Sequence, residues 1–350
     1  MLKRKSTCCS VNEIHISTDN LESSLATLSE RGVTEFVLQD EAILSHKGRL
    51  LHFLQTFAKR APDVFLTLPV DASVLDMDIA KAASNLYCSL EIPLEGTSKG
   101  KTYLFDKKFY AKRAAMLNNM GLVFGFSMRF ACVPGDSVKA FRDRLDFALS
   151  LMPNHIDFPQ IEDYRVKPDN GATKPNAATN PPKPSATFST QDIRTVKETA
   201  FACYTFYSAG RAVTWFLAVL APLKMSAAAF FRDFAEWQKL NNCSPASGWN
   251  ADEAHHTEIE KMQLAFLKFK YEEKGKSQFF DVVSNIVRLN GALARCYGEG
   301  EETTLAMGYN PDELLSATAM DIPLFFENAF IENSTVKIFM GEDGPAWRYC

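Results

Sequence analysis

The sequence predicts an α/β fold followed by a mainly helical domain, and three observations carry that prediction. Short apolar runs alternate with helical patterns of ten to twenty residues from about Val33 to Ile161. The run Leu122 to Val133 stops abruptly at Pro134 and Gly135 and passes into a helix, which reads as a buried strand, a tight turn and a helix start. Beyond a proline-rich stretch the apolar period becomes helical throughout. Strands joined by helices pair in parallel through right-handed crossovers, because only a long crossover returns the chain in the same direction.

Each element has its own signal. Asp19 with Glu22 resembles a capping box, and Leu21, Leu25 and Leu28 keep helical spacing up to Gly32. Glu35 to Gln39 reads as a strand, and Ile43, Leu50, Phe53, Leu54 and Phe57 as the face of the next helix. Val64 to Leu68 is a second strand. Ser73 and Asp76 cap a helix to about Asn85, and Leu86 to Ile92 is a third strand ending at Pro93. A helix from Tyr110 to Met120 precedes the strand at Leu122, a further helix runs from Val138 to Leu151, and Ile156 to Ile161 closes the series. Five strands of this kind form either an open doubly wound sheet or part of a β/α barrel. In both, ligands sit at the C-terminal strand ends, which directs attention to Gln39, Asp40, Glu41, Thr67, Glu91, Ser127, Arg129, Gln160 and Glu162.

Residues 166–187 hold five prolines and almost no large apolar side chain, so they read as a linker between a domain at 1–165 and another at 188–350. In the second domain Phe230, Phe231, Phe234 and Trp237 share a face, as do Ile259, Met262, Phe266 and Phe269. Phe201, Tyr204, Phe206, Tyr207 and Trp215 read as core. The last forty residues are less regular, with a helix expected at Pro311 to Leu315 and a strand at Thr335 to Met340.

Composition excludes several classes. The chain of 350 residues has a formal charge of −4 and no basic, aromatic-interleaved patch, which argues against nucleic-acid binding. Ala212 to Leu223 is too short for a membrane span, and the basic start lacks the apolar run of a signal peptide, so a cytoplasmic protein is expected. The eight cysteines are scattered and read as free thiols, with Cys8 and Cys9 adjacent. His255 and His256 point about 100° apart on a helix and so cannot share a metal, which makes a solvated helix face the expectation there. A charged Glu91 in an otherwise apolar strand is either a rim carboxylate or a site residue. Val133 to Ser137 is either a plain strand–helix connection or a ligand loop.

Taken together, Phe36 to Asp40, Leu90 to Glu95, Arg129 to Asp136 and Pro153 to Gln160 resemble the barrel of radical S-adenosylmethionine enzymes. The resemblance covers residues 9–165 and implies a partial (β/α) barrel. The helical remainder is similar to the C-terminal extension of a subgroup with an upstream cobalamin-binding domain. It implies S-adenosylmethionine and a [4Fe-4S] cluster as cofactors for radical chemistry on an unknown substrate. It further implies that Gln39 and Asp40 approach the amino group of S-adenosylmethionine, Glu91 and Arg129 its ribose and carboxylate, and the backbone from Val133 to Gly135 its adenine, with Ser127 also among the cofactor-binding positions. The family holds its cluster with a Cys-x-x-x-Cys-x-x-Cys loop after the first strand. Here Cys8 and Cys9 stand at that place with Ser6 or Lys5 where the second thiolate belongs, so the chain reads as one that begins inside its cluster loop. The alternative is a catalytically inactive remnant serving as a binding or scaffold protein. Without a preceding strand, the edge beside Phe36 to Gln39 is expected to be covered by Val11 to Ser17, by the helical domain or by a partner.

Overall fold

The computed structural model describes residues 21–23, 25, 34–100, 102–161, 164 and 182–350. They fall into two compact units. One is made of the described parts of Ser6–Asp136 with Phe147–Asp157, and the other of Ser137–Asp146 with the described residues after Phe158.

The first unit is a five-stranded parallel sheet with its strands in chain order. These are β1 (Glu35–Val37), β2 (Phe65–Pro69), β3 (Cys88–Pro93), β6 (Val123–Ser127) and β7 (His155–Asp157). The crossovers carry α1 (Glu41–Leu44), α2 (Lys47–Arg60), α3 (Met77–Ala83), α4 (Lys107–Asn119) and α5 (Val138–Ser150), the last of which belongs to the other unit as far as Asp146. Among the described strands the order never reverses, and right-handed crossovers then place the helices that join them within this unit on the same face. A doubly wound sheet would need a reversal. The fold is therefore singly wound, the topology of a barrel segment.

Burial differs between the two faces of the sheet. On one face Leu66, Leu68, Leu90, Ile92, Phe124, Phe126 and Ile156 are buried. They meet helix stripes such as Leu50, Phe53, Leu54 and Phe57, spaced for one face of α2. Each such side chain contributes about 1.5–3 kcal/mol through burial. On the other face Thr67, Glu91, Ser127, His155 and Asp157 are half-buried and Glu35, Val37 and Val123 exposed.

Helix starts follow their caps. Asp76, rather than Ser73, caps α3 by accepting from Asp78 N at 3.0 Å and Ile79 N at 3.1 Å. Asp106 caps α4, accepting from Phe109 N at 3.0 Å. The helix expected across Ile43 to Phe57 is two, broken at Ser45 and His46. Between β3 and α4 lies an antiparallel hairpin, β4 (Thr97–Lys99) and β5 (Thr102–Leu104), that the sequence did not announce. The expected strand at Ile156 to Ile161 is shorter: after Asp157 the chain turns into a 3₁₀ helix, Pro159–Ile161. The proposed cover at Val11 to Ser17, the helix from Asp19 to Gly32 apart from four residues, and most of the linker lie outside the described residues.

The second unit is helical from 190 to 299 and then forms a small antiparallel sheet. Its helices are α6 (Thr190–Cys203), a π-helix (Tyr204–Ala209), α7 (Phe216–Leu220), α8 (Ala227–Leu240), α9 (His256–Glu273) and α10 (Phe280–Glu299). Phe206 is the hub of the core, with ring centroids of Trp215, Phe230, Phe234 and Phe266 at 5.8, 5.0, 5.2 and 6.5 Å. Phe269, expected on the buried stripe, is instead about half exposed. The mainly helical domain expected at 188–350 ends in this small sheet, and the strand expected at Thr335 to Met340 lies within it. After α10 come β8 (Thr303–Met307), α11 (Pro311–Leu314), α12 (Ile322–Asn328), β9 (Ser334–Gly341) and β10 (Gly344–Tyr349), the three strands ordered β10-β9-β8.

The reading of His255 and His256 as one solvated face also needs correction. His255 is exposed and caps α9, but His256 is buried, with its Nδ1 3.1 Å from an Arg295 guanidinium nitrogen that also donates to Glu260 at 2.6 Å. Gly291 makes room for this pair, since a Cβ there would lie 2.1 Å from Glu260 Oε2. Among the described residues no helix is long and apolar enough to cross a membrane.

Candidate functional site

The half-covered face of the sheet is where polar chemistry collects. Register across the strands places Pro69, Glu91, Gly125 and His155 in one row. Side chains two strands apart normally do not touch, but Gly125 has none, and His155 reaches across it. Its Nε2 lies 2.8 and 2.7 Å from the two Glu91 oxygens. A Cβ on residue 125 would sit 2.1 Å from that nitrogen, so the glycine is what permits the pair. Ser89, on the same face, donates to Glu91 Oε1 at 3.1 Å. The pair is neither in the core nor on the surface: its side chains are 15% and 21% exposed.

The next row contains Pro93, Ser127 and Asp157, so Ser127 stands one step beyond Gly125 on the face that carries Glu91. At the C-terminal lip the remaining expected residues are held by their own elements. Gln39 is exposed, and Asp40 caps α1 by accepting from Ile43 N at 3.1 Å. Arg129 Nε donates to Glu95 Oε1 at 2.5 Å, and that bond raises the guanidinium pKa. Tyr110 braces the same corner by donating to the Glu95 carbonyl at 3.3 Å.

The turn after β6 is closed by buried Asp136, whose carboxylate accepts from Ala131 N at 2.9 Å and whose N–H donates to Val133 O at 3.0 Å. Gly135 at φ 81 lies in the left-handed region that glycine adopts without a Cβ penalty, and Ala131 at φ 53 lies there too, with its N–H held by the Asp136 carboxylate. Val133 and Gly135 are half-buried in this loop. Of the other rim positions, Thr67 shares the polar face, Glu41 is exposed in α1, Gln160 is buried in the 3₁₀ turn of the second unit, and Glu162 lies outside the described residues.

No protein-family model matches the chain, and no curated protein matches it. Among solved structures it is similar to two of TsrM, a radical S-adenosylmethionine methyltransferase from Kitasatospora setae. The one with tryptophan substrate and an S-adenosylmethionine analogue bound aligns at TM-score 0.33 and 15% identity, over 39% of this chain and 28% of its own. The one with cobalamin and a [4Fe-4S] cluster bound aligns at TM-score 0.33 and 15% identity, over 46% of this chain and 36% of its own. The likeness is distant and partial, and the chain spans well under two thirds of those proteins.

The thiols test whether a cluster fits. Cys88 points to the helix-covered side of β3, opposite to Glu91, and burial pushes its thiol up to about 12, so it stays protonated. Cys203 and Cys296 are buried in the helical unit, Cys243 is half-buried and Cys350 exposed, and Cys132 lies in the β6 loop with its Sγ 3.4 Å from Phe130 O. Among the described residues no group of three His, Cys, Asp or Glu side chains is placed to hold a metal. A cluster that needs three thiolates therefore does not fit the described residues, and Cys8 and Cys9 lie outside them.

Neither Gly125 nor His155 stands among the site residues expected from the sequence. A signal for the first existed: a lone glycine inside the apolar strand Val123 to Phe126 marks a close approach. The partner required the register, which a single sequence does not supply.

Proposed function

We propose that this chain binds S-adenosylmethionine on the polar face of a radical S-adenosylmethionine-type half barrel. The observation that carries the reading is the strand order, which puts Glu91, Ser127, His155 and Asp157 on one face of a parallel sheet, opposite the face that the apolar residues share. Four sequence segments with the family's pattern lie at the C-terminal ends of those strands, where ligands of β/α folds bind. The donor set suits the ligand: carboxylates and hydroxyls for ribose and cationic groups on the face, and the Glu95-bound Arg129 at the lip. By this reading Gln39 and Asp40 stand at the amino-acid end and the Val133 to Gly135 backbone at the base.

The described thiols do not fit a cluster, so the reading is of ligand binding alone. The chain is a ligand-binding protein in which the family's fold is kept. The test is calorimetric titration of the full chain with S-adenosylmethionine. Saturable binding that Glu91→Gln weakens about tenfold or more is expected, since a charged hydrogen bond is worth about 1.5–3 kcal/mol. Absence of binding overturns the reading. Anaerobic incubation with iron and sulfide, read by visible absorption, is expected to give no three-thiolate cluster.

A further inference from the structure

We propose that β10 is a docking edge for a partner protein, which contributes an extended segment rich in Lys or Arg and adds it to the small sheet as a fourth strand. The proposal goes beyond the ligand reading and concerns the other unit. The order β10-β9-β8 leaves β10 at one end of that sheet. In an antiparallel pair, alternate residues point their backbone groups toward and away from the neighbouring strand. Cys350 N donates to Thr335 O at 2.9 Å, which continues the register Trp347↔Ile338 and Tyr349↔Val336. Ala346 and Arg348 therefore point theirs toward β9, whereas Pro345, Trp347 and Tyr349 point theirs outward. Among the described residues no hydrogen bond reaches that outward backbone row. The opposite end of the sheet is capped by α10: Arg288 donates to Ala306 O of β8 at 3.0 Å, and Asn285 Oδ1 accepts from Gly308 N at 2.9 Å. Growth is thus open on one side. Pro345 blunts the start of that side, which leaves Trp347 and Tyr349 as the residues that can pair through their N–H groups.

Charge decides what the added strand carries. Residues 301–350 hold nine acids against two bases, in a chain whose net charge is only −4. Both bases are engaged: Lys337 Nζ lies 2.6 Å from Glu302, and the Arg348 guanidinium sits 5.2 Å from the centre of the Phe339 ring. At the open edge Trp347 Nε1 donates to Asp312 Oδ1 at 3.0 Å, and Tyr349 OH donates to Glu332 Oε1 at 3.2 Å. The two rings stand edge to face with centroids 5.2 Å apart. Desolvation first, and then the charges of Glu332, Asp312 and Glu313, raise the Tyr349 phenol, as three carboxylates gathered near one end of a strand would. Rings beside carboxylates suit Lys and Arg side chains, which gain from both charge and ring attraction. The same acids would face each other across two β10 edges, so a second copy is disfavoured. Phe330 and Ile331, the two residues before Glu332, are 84% and 73% exposed and offer apolar surface for residues that alternate with the basic ones.

The experiment uses the full chain and three labelled peptides of about eight residues, read by fluorescence anisotropy. One alternates Lys with Val, one alternates Glu with Val, and the third is the Lys-Val peptide N-methylated throughout, which keeps the charge and removes every backbone donor. Saturable binding of the Lys-Val peptide is expected, about tenfold or more tighter than either of the others. Asp312→Asn combined with Glu332→Gln is expected to weaken it about fivefold. No binding of the Lys-Val peptide overturns the proposal. Equal binding of the N-methylated peptide overturns strand addition, and equal binding of the Glu-Val peptide overturns the choice of a basic partner. Unchanged affinity in the double variant overturns the placement at β10. Should that variant not fold, judged by circular dichroism, the three peptides on the unmodified chain still decide. Sedimentation that shows a dimer, dissociated by the Lys-Val peptide, assigns the edge to a second copy and overturns the partner proposed here. The outcome is independent of S-adenosylmethionine binding, so either reading can fail without the other.

Discussion

At His256 the two ring nitrogens have fixed and opposite roles. Nε2 lies 3.3 Å from the Gly210 carbonyl and must donate, so Nδ1 is bare and accepts from Arg295 at 3.1 Å. Burial first, and then the Arg211 charge, pushes this imidazole down to about 3, and it is neutral in the folded state. An unfolded chain takes up the proton near the ordinary imidazole value, so stability is complete above about pH 6.5 and falls as pH drops below it. Burial raises the Glu260 carboxyl, which gives an opposite slope in the carboxylate range. The histidine effect is therefore cleanest between about pH 6.5 and about pH 5.5, where about 1 kcal/mol should be lost; the urea midpoint reports it, and His256→Gln should flatten the slope. Arg295→Ala strands the Glu260 charge and is expected to cost about 3–5 kcal/mol in the same assay. Gly125→Ala should push His155 away from Glu91 and cost about 1–3 kcal/mol, seen as a lowered midpoint. How much of this was legible differs by residue. Glu91 stood out as a charge in an apolar strand. His256 did not, because its partners, the Gly210 carbonyl and Arg295, lie far along the chain.

Among the elements, the π-helix at Tyr204–Ala209 is the one with an unusual hydrogen-bond requirement. Widening the turn frees carbonyls, and Gln263 of α9 answers by donating to Phe206 O at 2.7 Å and Gly210 O at 3.0 Å. Gly210 has an ordinary φ of −79, so its smallness is steric: a Cβ there would lie 2.2 Å from both Gln263 Nε2 and the Phe206 carbonyl. Backbone cannot yield as a side chain does. Gly210→Ala is therefore expected to destabilise by about 1–3 kcal/mol, and Gln263→Leu by a similar amount through the Phe206 carbonyl it leaves unpaired, both measured by denaturant unfolding. The strands of the first sheet were legible because their buried faces are apolar and their helices carry 3.6-residue stripes. The hairpin β4–β5 was not: Thr97–Lys99 is exposed throughout and gives no alternation to read. Strand β10 contains Gly344 and Pro345 and is nowhere fully buried, so its sequence resembles a loop.

For the molecule as a whole, the decisive property is strand order. Five parallel strands were countable from the sequence, but singly and doubly wound sheets share the same local patterns. The arrangement β1-β2-β3-β6-β7 separates them, because it assigns the crossovers within this unit to one side. A ligand held on the other side stabilises the folded chain by mass action. S-adenosylmethionine at about a hundred times its Kd should add about 2.7 kcal/mol, visible as a raised thermal midpoint. No shift at that concentration would contradict the ligand reading.

The difference between the two faces also sets how this sheet can change over evolution. Leu66, Leu90, Ile92, Phe124, Phe126 and Ile156 carry the packing, whereas Thr67, Ser89, Ser127 and Asp157 face away from it. Because successive residues of a strand alternate between these duties, chemistry and architecture are written in separate letters of the same short words. The odd-numbered letters can be exchanged for a new ligand while the even-numbered ones keep the helices in place. A library confined to Thr67, Ser89, Ser127 and Asp157 would therefore sample new specificities on an unchanged frame.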